Sequence, residues 1–307
     1  MIKSCRNCLS ENVKSASTGI FAPFFLKRVF GIELINLGQI LQINQNSQLI
    51  EHFQKNNLNQ VLGFQSPALT SIRVCEDCGF VGPEMYFSQE LLQGLYQDYR
   101  LDSYNQERCK YEPYYQQIQH LVGKDARELV ARLDNIDALL KIHVDIDRFD
   151  SVLDWGGGEG RFVPRCLVDK KVFILDVSDE PLANQGFTRI NEPDPAMLFD
   201  FIQICHVLEH VSSPNEFLKV VVKSLKPGGV LYIEVPQDQS DENISKFKVD
   251  PNSINHTIHE HLNLFSHDAL SALGSQFGLD QIVIDKHQID LGWIKGVNLS
   301  ALFRNPN

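Results

Sequence analysis

The stretch Ser151–Phe162, SVLDWGGGEGRF, decides the fold of this 307-residue chain. Val152, Leu153 and Asp154 end an apolar run that predicts a buried strand, and four glycines follow within five positions. From Phe162 an apolar pattern resumes at helical spacing. A strand, a glycine turn and a helix in this order form the nucleotide-binding corner of an open α/β sheet. Glycines are needed there because side chains would keep the ligand from the backbone and because some positions require positive φ.

The spacing of the glycines narrows the choice of ligand. It matches neither the dinucleotide fingerprint G-x-G-x-x-G nor the phosphate-binding pattern G-x-x-x-x-G-K-[ST]. Asp154 instead places a carboxylate beside the glycines, which suits a ligand with a cationic group. S-adenosylmethionine (SAM) has an ammonium and a sulfonium and no phosphate. We therefore predict that Asp154, Gly156, Gly158 and Gly160 bind SAM.

A second strand and a third follow the glycine turn. KVFILD ends in Asp176, 22 residues after Asp154, and an acidic residue at about this distance accepts the ribose hydroxyls of adenosine cofactors. FDFIQIC at 199–205 predicts the next strand, and His206 after it is predicted to form a wall of the cofactor pocket. Between Asp176 and this strand the chain is short and carries two prolines, so we expect neither a full helix nor a further strand there.

The segment after HVLEH reads as a helix and a strand. A helix is predicted over 213–225, with Ser212 or Ser213 as the expected cap and Pro214 in its first turn. The turn KPGG and a strand over 230–235 follow it. Together, VLDWGGGEGRF, ILDVS, HVLEHV and LKPGGVLYIEVP resemble a class I SAM-dependent methyltransferase over residues 150–305. The resemblance implies a doubly wound, Rossmann-like α/β core.

Composition limits the classes of partner. The net charge of −11 argues against nucleic acid or an anionic membrane, since both need basic surfaces. The apolar fraction of 43% and the charged fraction of 22% are ordinary for a globular protein. No export signal is recognisable, and seven cysteines, an odd number, favour a reducing compartment. We expect a cytoplasmic monomer or homodimer that acts on a small molecule.

Two C-x-x-C pairs predict a zinc-binding module at residues 1–90. Cys5 and Cys8 form one pair, and Cys75 and Cys78 form the other after 66 intervening residues. Four thiolates hold Zn²⁺ tetrahedrally and leave no vacant position, so such a zinc is structural. The alternative is four reduced cysteines without metal. Between the pairs we expect an insertion with a helix over 47–58.

Residues 91–149 are predicted to form a helical cap before the core at 150–307. Ser88 caps an amphipathic start, and Asp125 to His143 forms a longer helix with Leu129, Val130, Leu133, Ile136, Leu139 and Leu140 buried. Six tyrosines crowd residues 96–115. They either pack against the sheet or belong to a lid that offers hydroxyls to the substrate. After strand 230–235, residues 236–255 are expected to be a loop on the substrate side. A helix over 270–277 and a closing hairpin end the core.

Histidines cluster near the predicted ends of two core strands. His210 follows the strand at 199–205, and His256-Thr-Ile-His259-Glu260-His261 follows the strand at 230–235. We predict His261 as the general base with Glu260 fixing its tautomer, and His210 as the second candidate. A metal site is the alternative, although the spacing is not H-E-x-x-H.

The chain also resembles the zinc-containing sugar methyltransferases. The resemblance rests on the cysteine pairs, the SAM core and the motifs V-C-E-D-C-G, L-Y-x-D-Y and H-E-H-L-x-x-F-S. The resemblance implies active-site roles for His210, Glu260 and His261. The position two residues before the glutamate, where the resemblance predicts a tyrosine, is Ile258, and we do not expect the further C-terminal domain of the C-methyltransferases. We therefore expect methylation of a hydroxyl on a sugar, nucleotide-sugar or related metabolite. The alternatives are C-methylation of a keto nucleotide-sugar and a non-catalytic SAM-binding protein.

Overall fold

The structure, a computed structural model, describes residues 4–33, 69–99, 101–121, 125–178, 180–194, 196–253, 256–290 and 295–306. The chain divides into two compact units. Unit 1 contains Met1–Cys5, Ser10–Val122 and Glu242–Asn263, and unit 2 contains Arg6–Leu9, Gly123–Asp241 and Leu264–Asn307. Residues 242–263 thus group with the N-terminal part of the chain, whereas the sequence assigned them to the core. The helix predicted over 47–58 lies outside the described residues.

Eleven strands are described: β1 (Val13–Phe21), β2 (Leu69–Cys75), β3 (Val81–Pro83), β4 (Ser151–Trp155), β5 (Lys171–Leu175), β6 (Thr188–Ile190), β7 (Phe199–Cys205), β8 (Leu225–Pro236), β9 (His256–Ile258), β10 (Asp280–Asp290) and β11 (Lys295–Arg304). The described α-helices are α1 (Pro23–Phe30), α2 (Gln89–Tyr96), α3 (Asp102–Tyr111), α4 (Tyr115–Ile118), α5 (Ala126–His143), α6 (Pro214–Val221), α7 (Asp241–Val249) and α8 (His267–Ser275). None of these helices combines the length and the apolar character that crossing a membrane requires.

Unit 1 is built on a four-stranded sheet in the order β3-β2-β1-β9. β2 runs antiparallel to β1 and β3, and β9 runs parallel to β1. Buried phenylalanines form its core. Phe21 and Phe25 stack with ring centroids 5.0 Å apart, and Phe87 packs edge-on against both. Buried aromatic rings in edge-on and stacked contact thus contribute to the apolar core of this unit.

Unit 2 contains a seven-stranded sheet in the order β10-β11-β8-β7-β4-β5-β6. The strands from β8 to β6 are parallel, while β11 pairs antiparallel with both β8 and β10. The chain leaves β4 toward one edge through β5 and β6, and returns to the other side of β4 as β7. The topological switch point therefore lies between β4 and β7, where ligands of doubly wound sheets bind beyond the carboxyl ends of the strands.

The core of unit 2 is a continuous apolar cluster on this sheet. Its buried members are Ile136, Leu139, Leu140, Phe149, Val152, Val163, Leu167, Val172, Ile174, Phe187, Phe201, Val230, Tyr232 and Leu302. Helix α5 contributes three of them, as its sequence pattern predicts. The prediction was wrong for Val130, which is 51% exposed because it lies on the opposite face of α5.

The predicted cap Ser88 and, of the two alternatives for α6, Ser213 are confirmed, whereas Asp125, predicted as the first residue of a helix, is the cap of α5. Ser88 Oγ accepts from the Leu91 N–H at 3.4 Å, and Asp125 Oδ1 accepts from the Arg127 N–H at 2.8 Å. Ser213 Oγ accepts from the Glu216 N–H at 3.4 Å. Each side chain satisfies a donor that has no partner within its own helix.

Three predictions near the site were wrong. The apolar segment after the glycine turn forms a single 3₁₀ turn, Arg165–Leu167, instead of an α-helix, because Pro164 has no N–H and is tolerated only in the first turn of a helix. A third strand does exist, since β6 pairs in parallel with β5. Residues 236–255 are more than a loop, because they include α7 and the 3₁₀ helix Pro251–Ser253.

Candidate cofactor site and catalytic residues

The glycine turn directly follows β4, at the switch point of the sheet. Gly156, Gly158 and Gly160 have φ of 78°, 55° and 82°, a region that residues with a Cβ rarely adopt. A Cβ on Gly156 would lie 2.4 Å from Val207 Cγ2. The shape of the turn thus accounts for the glycines, and their role in cofactor binding stays a prediction.

Asp154, the last residue but one of β4, carries a buried carboxylate beneath the turn. Asp154 is 1% exposed, and a Cβ on Gly157 would lie 2.3 Å from the carboxyl carbon of Asp154. Within the described residues, neither carboxylate oxygen accepts a hydrogen bond. Burial raises the pKa of Asp154 to about 7, although the Gln203 amide opposes the shift. A buried anion without a partner is unfavourable, so this position suits a cationic ligand group.

Asp176 follows β5 and shapes the same turn. Its Oδ2 accepts from the Gly158 N–H at 2.7 Å, and its Oδ1 accepts from the Ser178 N–H at 2.8 Å. Each carboxylate oxygen can accept a second hydrogen bond, so the half-buried side chain retains the capacity to bind ribose hydroxyls. The side chain thus has a structural role that the sequence did not reveal.

Arg189 on β6 supports the glycine turn and was missed by the sequence analysis. Its guanidinium donates to the carbonyl oxygens of Gly158, Ser178 and Glu180 at 2.9, 2.8 and 2.6 Å. One side chain therefore connects the turn after β4 with the segment after β5. No sequence signal could have identified it, because the strand that carries it was not expected.

His206 lies immediately beyond β7 in a strained conformation. Its φ of 55° is uncommon for a residue with a Cβ, and its N–H donates to the Glu234 carbonyl oxygen at 2.8 Å. Strain of this kind concentrates at functional sites. His210 follows in the next turn, where its N–H donates to the Val207 carbonyl oxygen at 3.0 Å. Both histidines are half-buried and belong to unit 2.

A buried charged network surrounds Glu234, which lies near the carboxyl end of β8 in unit 2. The Arg132 guanidinium on α5 donates from Nε to Glu234 Oε1 at 2.5 Å, and the Tyr232 hydroxyl donates to Oε2 at 2.8 Å. Arg132 also lies over the Phe162 ring, 3.7 Å from its centroid. Burial alone would raise the pKa of Glu234, but Arg132 and His206 hold it well below its usual range. The sequence did not indicate this network.

Glu260 and His261 follow β9 in unit 1. Glu260 Oε1 accepts from the Tyr104 hydroxyl at 2.8 Å and from Arg108 Nη1. Arg108 in turn donates to Glu112 at 3.0 Å, and the Glu112 carboxylate is 2.8 Å from His259 Nδ1. The fully buried Tyr104 is thus a partner of Glu260 and packs against Phe24. That His261 is the base, assisted by Glu260 and paired with His210, stays a prediction.

Three of the predicted zinc ligands lie close together in unit 1. The sulfurs of Cys5, Cys75 and Cys78 are within 4.8 Å of one another, and those of Cys5 and Cys78 are 3.8 Å apart. A tetrahedral site with Zn–S bonds of about 2.3 Å has sulfurs about 3.8 Å apart along its edges. None of the seven cysteines forms a disulfide.

The two C-x-x-C segments have the same backbone shape. The Cys5 N–H donates to the Ser10 carbonyl oxygen at 2.7 Å, and the Cys75 N–H donates to the Phe80 carbonyl oxygen at 2.9 Å, so each hydrogen bond closes a five-residue span. The residue after each second cysteine has positive φ, 63° at Leu9 and 74° at Gly79. Cys8 therefore occupies the place in its turn that Cys78 occupies in the other.

A family model described as a methyltransferase domain matches residues 119–283, more than half of the chain. A comparison with curated proteins found no match. Similar solved structures include the N-methyltransferase NodS from Bradyrhizobium japonicum WM9 in complex with S-adenosylhomocysteine, at 17% identity over 57% of this chain and 87% of that chain, with a TM-score of 0.40.

Two further solved structures have comparable similarity. One is the 1,6-didemethyltoxoflavin N1-methyltransferase of Burkholderia thailandensis, at 18% identity over 64% of this chain and 87% of that chain, with a TM-score of 0.44. The other is a putative methyltransferase from Bacillus halodurans C-125, at 13% identity over 57% of this chain and 100% of that chain, with a TM-score of 0.42. With the family match and the doubly wound sheet of unit 2, the chain belongs to the methyltransferase domain family of class I SAM-dependent enzymes.

Proposed function

We propose that this protein binds SAM at the turn after β4 and transfers its methyl group to a hydroxyl of a small molecule, such as a sugar, a nucleotide-sugar or a related metabolite. The observation that carries the proposal is the Asp154 carboxylate, buried without a hydrogen-bond partner among the described residues. The ammonium of SAM would supply the missing positive charge. Asp176 would accept the ribose hydroxyls, and Gly156, Gly158 and Gly160 would allow close approach of the ligand.

When bound, SAM supplies an electrophilic methyl group on sulfonium. The protein's contribution to an in-line displacement is alignment of the acceptor and removal of its proton. We propose that His261 accepts this proton with its ring oriented by Glu260, and that His210 is the second candidate. Arg108 and Tyr104 already fix one Glu260 oxygen by donating to it. The carboxylate is thereby held in one place, as an orienting group must be.

Hydroxyl methylation is favoured over the C-methylation of a keto nucleotide-sugar by a feature of β9. The residue two positions before Glu260 is Ile258, which is completely buried and has no group that can transfer a proton. Removing a proton from a hydroxyl requires one base. A C-methyltransferase would need additional groups to stabilise the carbanion formed beside the keto group, and Ile258 cannot supply one.

The cofactor is tested by titrating the protein with S-adenosylhomocysteine in a calorimeter. We expect one site per chain, and Asp176→Ala should weaken binding by about 1.5–3 kcal/mol because a charged hydrogen-bond acceptor is lost. Asp194→Ala, an acidic residue in the loop after β6, is the matched control and should leave the affinity unchanged. Absence of binding by the wild type would overturn the proposal.

Catalysis is tested with His261→Ala and His210→Ala, using a panel of sugars and nucleotide-sugars and detecting S-adenosylhomocysteine as the product. Loss of the base should lower turnover by roughly 10²–10⁴-fold while the affinity for S-adenosylhomocysteine stays within threefold. Turnover within threefold of the wild type in both variants would end the acid–base assignment. A wild type that binds SAM but methylates none of the panel would favour a non-catalytic SAM-binding protein for these acceptors.

We also propose that Cys5, Cys8, Cys75 and Cys78 hold one structural zinc ion. The support is the tetrahedral edge distance between two of the sulfurs and the matching backbone of the two cysteine turns. Elemental analysis of protein purified without added metal should give one zinc per chain. Less than 0.2 zinc per chain, with all four thiols reacting rapidly in the folded protein, would contradict it.

A further inference from the structure

Gln203 is a buried polar side chain in the otherwise apolar stretch 201–204 of β7, in unit 2. Its neighbours along the strand, Phe201, Ile202 and Ile204, are completely buried, and so is Gln203 itself. An amide in such surroundings is unfavourable unless both its nitrogen and its oxygen have hydrogen-bond partners. The partners of these two atoms therefore show whether the fold alone accounts for the side chain.

The amide nitrogen of Gln203 has a partner within the fold. Nε2 donates to the Phe162 carbonyl oxygen at 3.2 Å, just beyond the glycine turn. Because a carbonyl oxygen can only accept hydrogen bonds, this contact identifies the nitrogen end of the amide. The opposite end, Oε1, is buried and accepts no hydrogen bond from any residue that the structure describes. The amide is thus held by its nitrogen and has an oxygen that lacks a donor.

Asp154 lies beside Gln203 on the neighbouring strand. The two residues are register partners in the parallel pair of β4 and β7, so their side chains project from the same face of the sheet. Their proximity also affects the pKa of Asp154, which burial raises to about 7 and the Gln203 amide lowers in part. Both Asp154 oxygens are buried and, like Gln203 Oε1, accept no hydrogen bond in the described parts of the chain. Three acceptor oxygens are therefore buried together without a donor.

The charged side chains that act on Asp154 do not supply this donor. Asp176 raises the pKa of Asp154 further, and Arg132 lowers it through its charge. The Arg132 guanidinium instead donates to Glu234 and Glu128. A group that satisfies several acceptors beside a carboxylate needs several hydrogens and a positive charge. A primary ammonium has three donor hydrogens and no acceptor, so its chemistry fits these oxygens.

We propose that Gln203 is a specificity-determining residue of the cofactor site, whose Oε1 accepts a hydrogen bond from the ammonium of SAM beside Asp154. This inference rests on the proposed binding of SAM at the turn after β4, and it adds a neutral ligand from β7 to that site. The two residues contribute differently. The Asp154 carboxylate attracts a cation through its charge, whereas an amide oxygen that is held through Phe162 accepts a hydrogen from a defined direction.

The proposal is tested by calorimetric titration with two ligands at pH 8, where Asp154 is mostly ionised. One ligand is S-adenosylhomocysteine, and the other is its deamino analogue, in which a hydrogen atom replaces the ammonium. The ratio of the two dissociation constants measures what the ammonium contributes to binding. We expect the wild type to bind S-adenosylhomocysteine at least about 30-fold more tightly than the analogue, because hydrogen bonds to a charged group are lost.

Gln203→Met removes the amide oxygen and keeps the length of the side chain. It should weaken the binding of S-adenosylhomocysteine about tenfold and leave the affinity for the deamino analogue within threefold. Gln281→Met is the matched control, because Gln281 is exposed on β10, which β11 and β8 separate from β7. Both affinities should be unchanged in this control.

Gln203→Glu is the conservative variant and keeps the test valid if Gln203→Met does not fold. Glutamate has an acceptor oxygen of the same reach, so the preference for S-adenosylhomocysteine over the deamino analogue should be at least as large as in the wild type. A tenfold smaller preference in this variant would contradict the proposal. An unchanged preference in Gln203→Met would also contradict it.

The same titrations separate this inference from the proposed function. Equal losses of affinity for both ligands in Gln203→Met would mean that the amide only supports the shape of the site, and would overturn the specificity role alone. A wild type that binds both ligands equally well would retain the adenosine-binding site and refute recognition of the ammonium. A wild type that binds neither ligand would refute the proposed cofactor and this inference with it.

Discussion

Strands β4 and β8 in unit 2 each carry a buried carboxylate near the carboxyl end. The two carboxylates differ in their hydrogen-bond partners and in the direction of their pKa shifts. Glu234 receives hydrogen bonds from Arg132, Tyr232 and Asn298, and its pKa is held below the usual range despite burial. Asp154 accepts no hydrogen bond within the described residues, and burial raises its pKa to about 7. A buried charge is tolerated only with partners. The fold supplies hydrogen-bond donors to Glu234 but, among the described residues, none to Asp154, for which we propose the ammonium of SAM as the partner.

The largest effect on stability should come from removing the cation that pairs with Glu234. Arg132→Met removes the cation and leaves Glu234 buried without it, which should cost about 3–5 kcal/mol of unfolding free energy at pH 7.5. Urea unfolding followed by circular dichroism measures this. Lys219→Met is the control, because the Lys219–Glu216 pair on α6 is exposed and 3.9 Å apart, so it should change stability by less than about 0.5 kcal/mol. Equal losses of unfolding free energy in the two variants would show that the buried pair contributes no more to stability than the exposed pair.

Removing the charge of Asp154, the carboxylate without a hydrogen-bond partner among the described residues, should change stability in the opposite direction. The folded pKa of Asp154 lies above its unfolded value, so the native state is stabilised by the proton and loses this stability as pH rises through about 7. Asp154→Asn removes the buried charge and should make the ligand-free protein more stable by about 1–3 kcal/mol at pH 8. The advantage should shrink at pH 5.5. A destabilised variant at pH 8 would indicate that Asp154 already has a partner.

The same carboxylate should make cofactor binding depend on pH. A cation binds the ionised form, and a group with a pKa of about 7 is mostly protonated at pH 6 and mostly ionised at pH 8. The affinity for S-adenosylhomocysteine should therefore be about tenfold higher at pH 8 than at pH 6. Calorimetry in buffers of different ionisation enthalpy should detect proton release on binding at pH 6. In Asp154→Asn both effects should disappear.

Local signals in the sequence predicted the parts of the site that depend on a few neighbouring residues. The glycine turn, the acidic ends of β4 and β5 and the caps Ser88 and Ser213 all lie where the sequence indicated. They were predictable because backbone conformation and capping are decided within about five residues. The same reasoning failed after the turn, where Pro164 stops an apolar pattern from becoming an α-helix.

Other parts of the molecule required the tertiary structure. Arg132 and Glu234 are 102 positions apart, and Asn298 lies a further 64 beyond Glu234. Arg189 reaches the glycine turn from a strand of only three residues, and residues 242–263 join the N-terminal unit by pairing β9 with β1. Composition and periodicity carry no information about which distant charges become neighbours.

By itself, the sequence determined the doubly wound class of the core and the position of the glycine turn, because both follow from short-range rules of backbone geometry and burial. Only the tertiary structure decided that Glu234 is paired and that Asp154 has no hydrogen-bond partner among the described parts of the chain. The reason is physical: the pKa and the partners of a buried carboxylate depend on which side chains the folded sheet brings within a few ångströms of it.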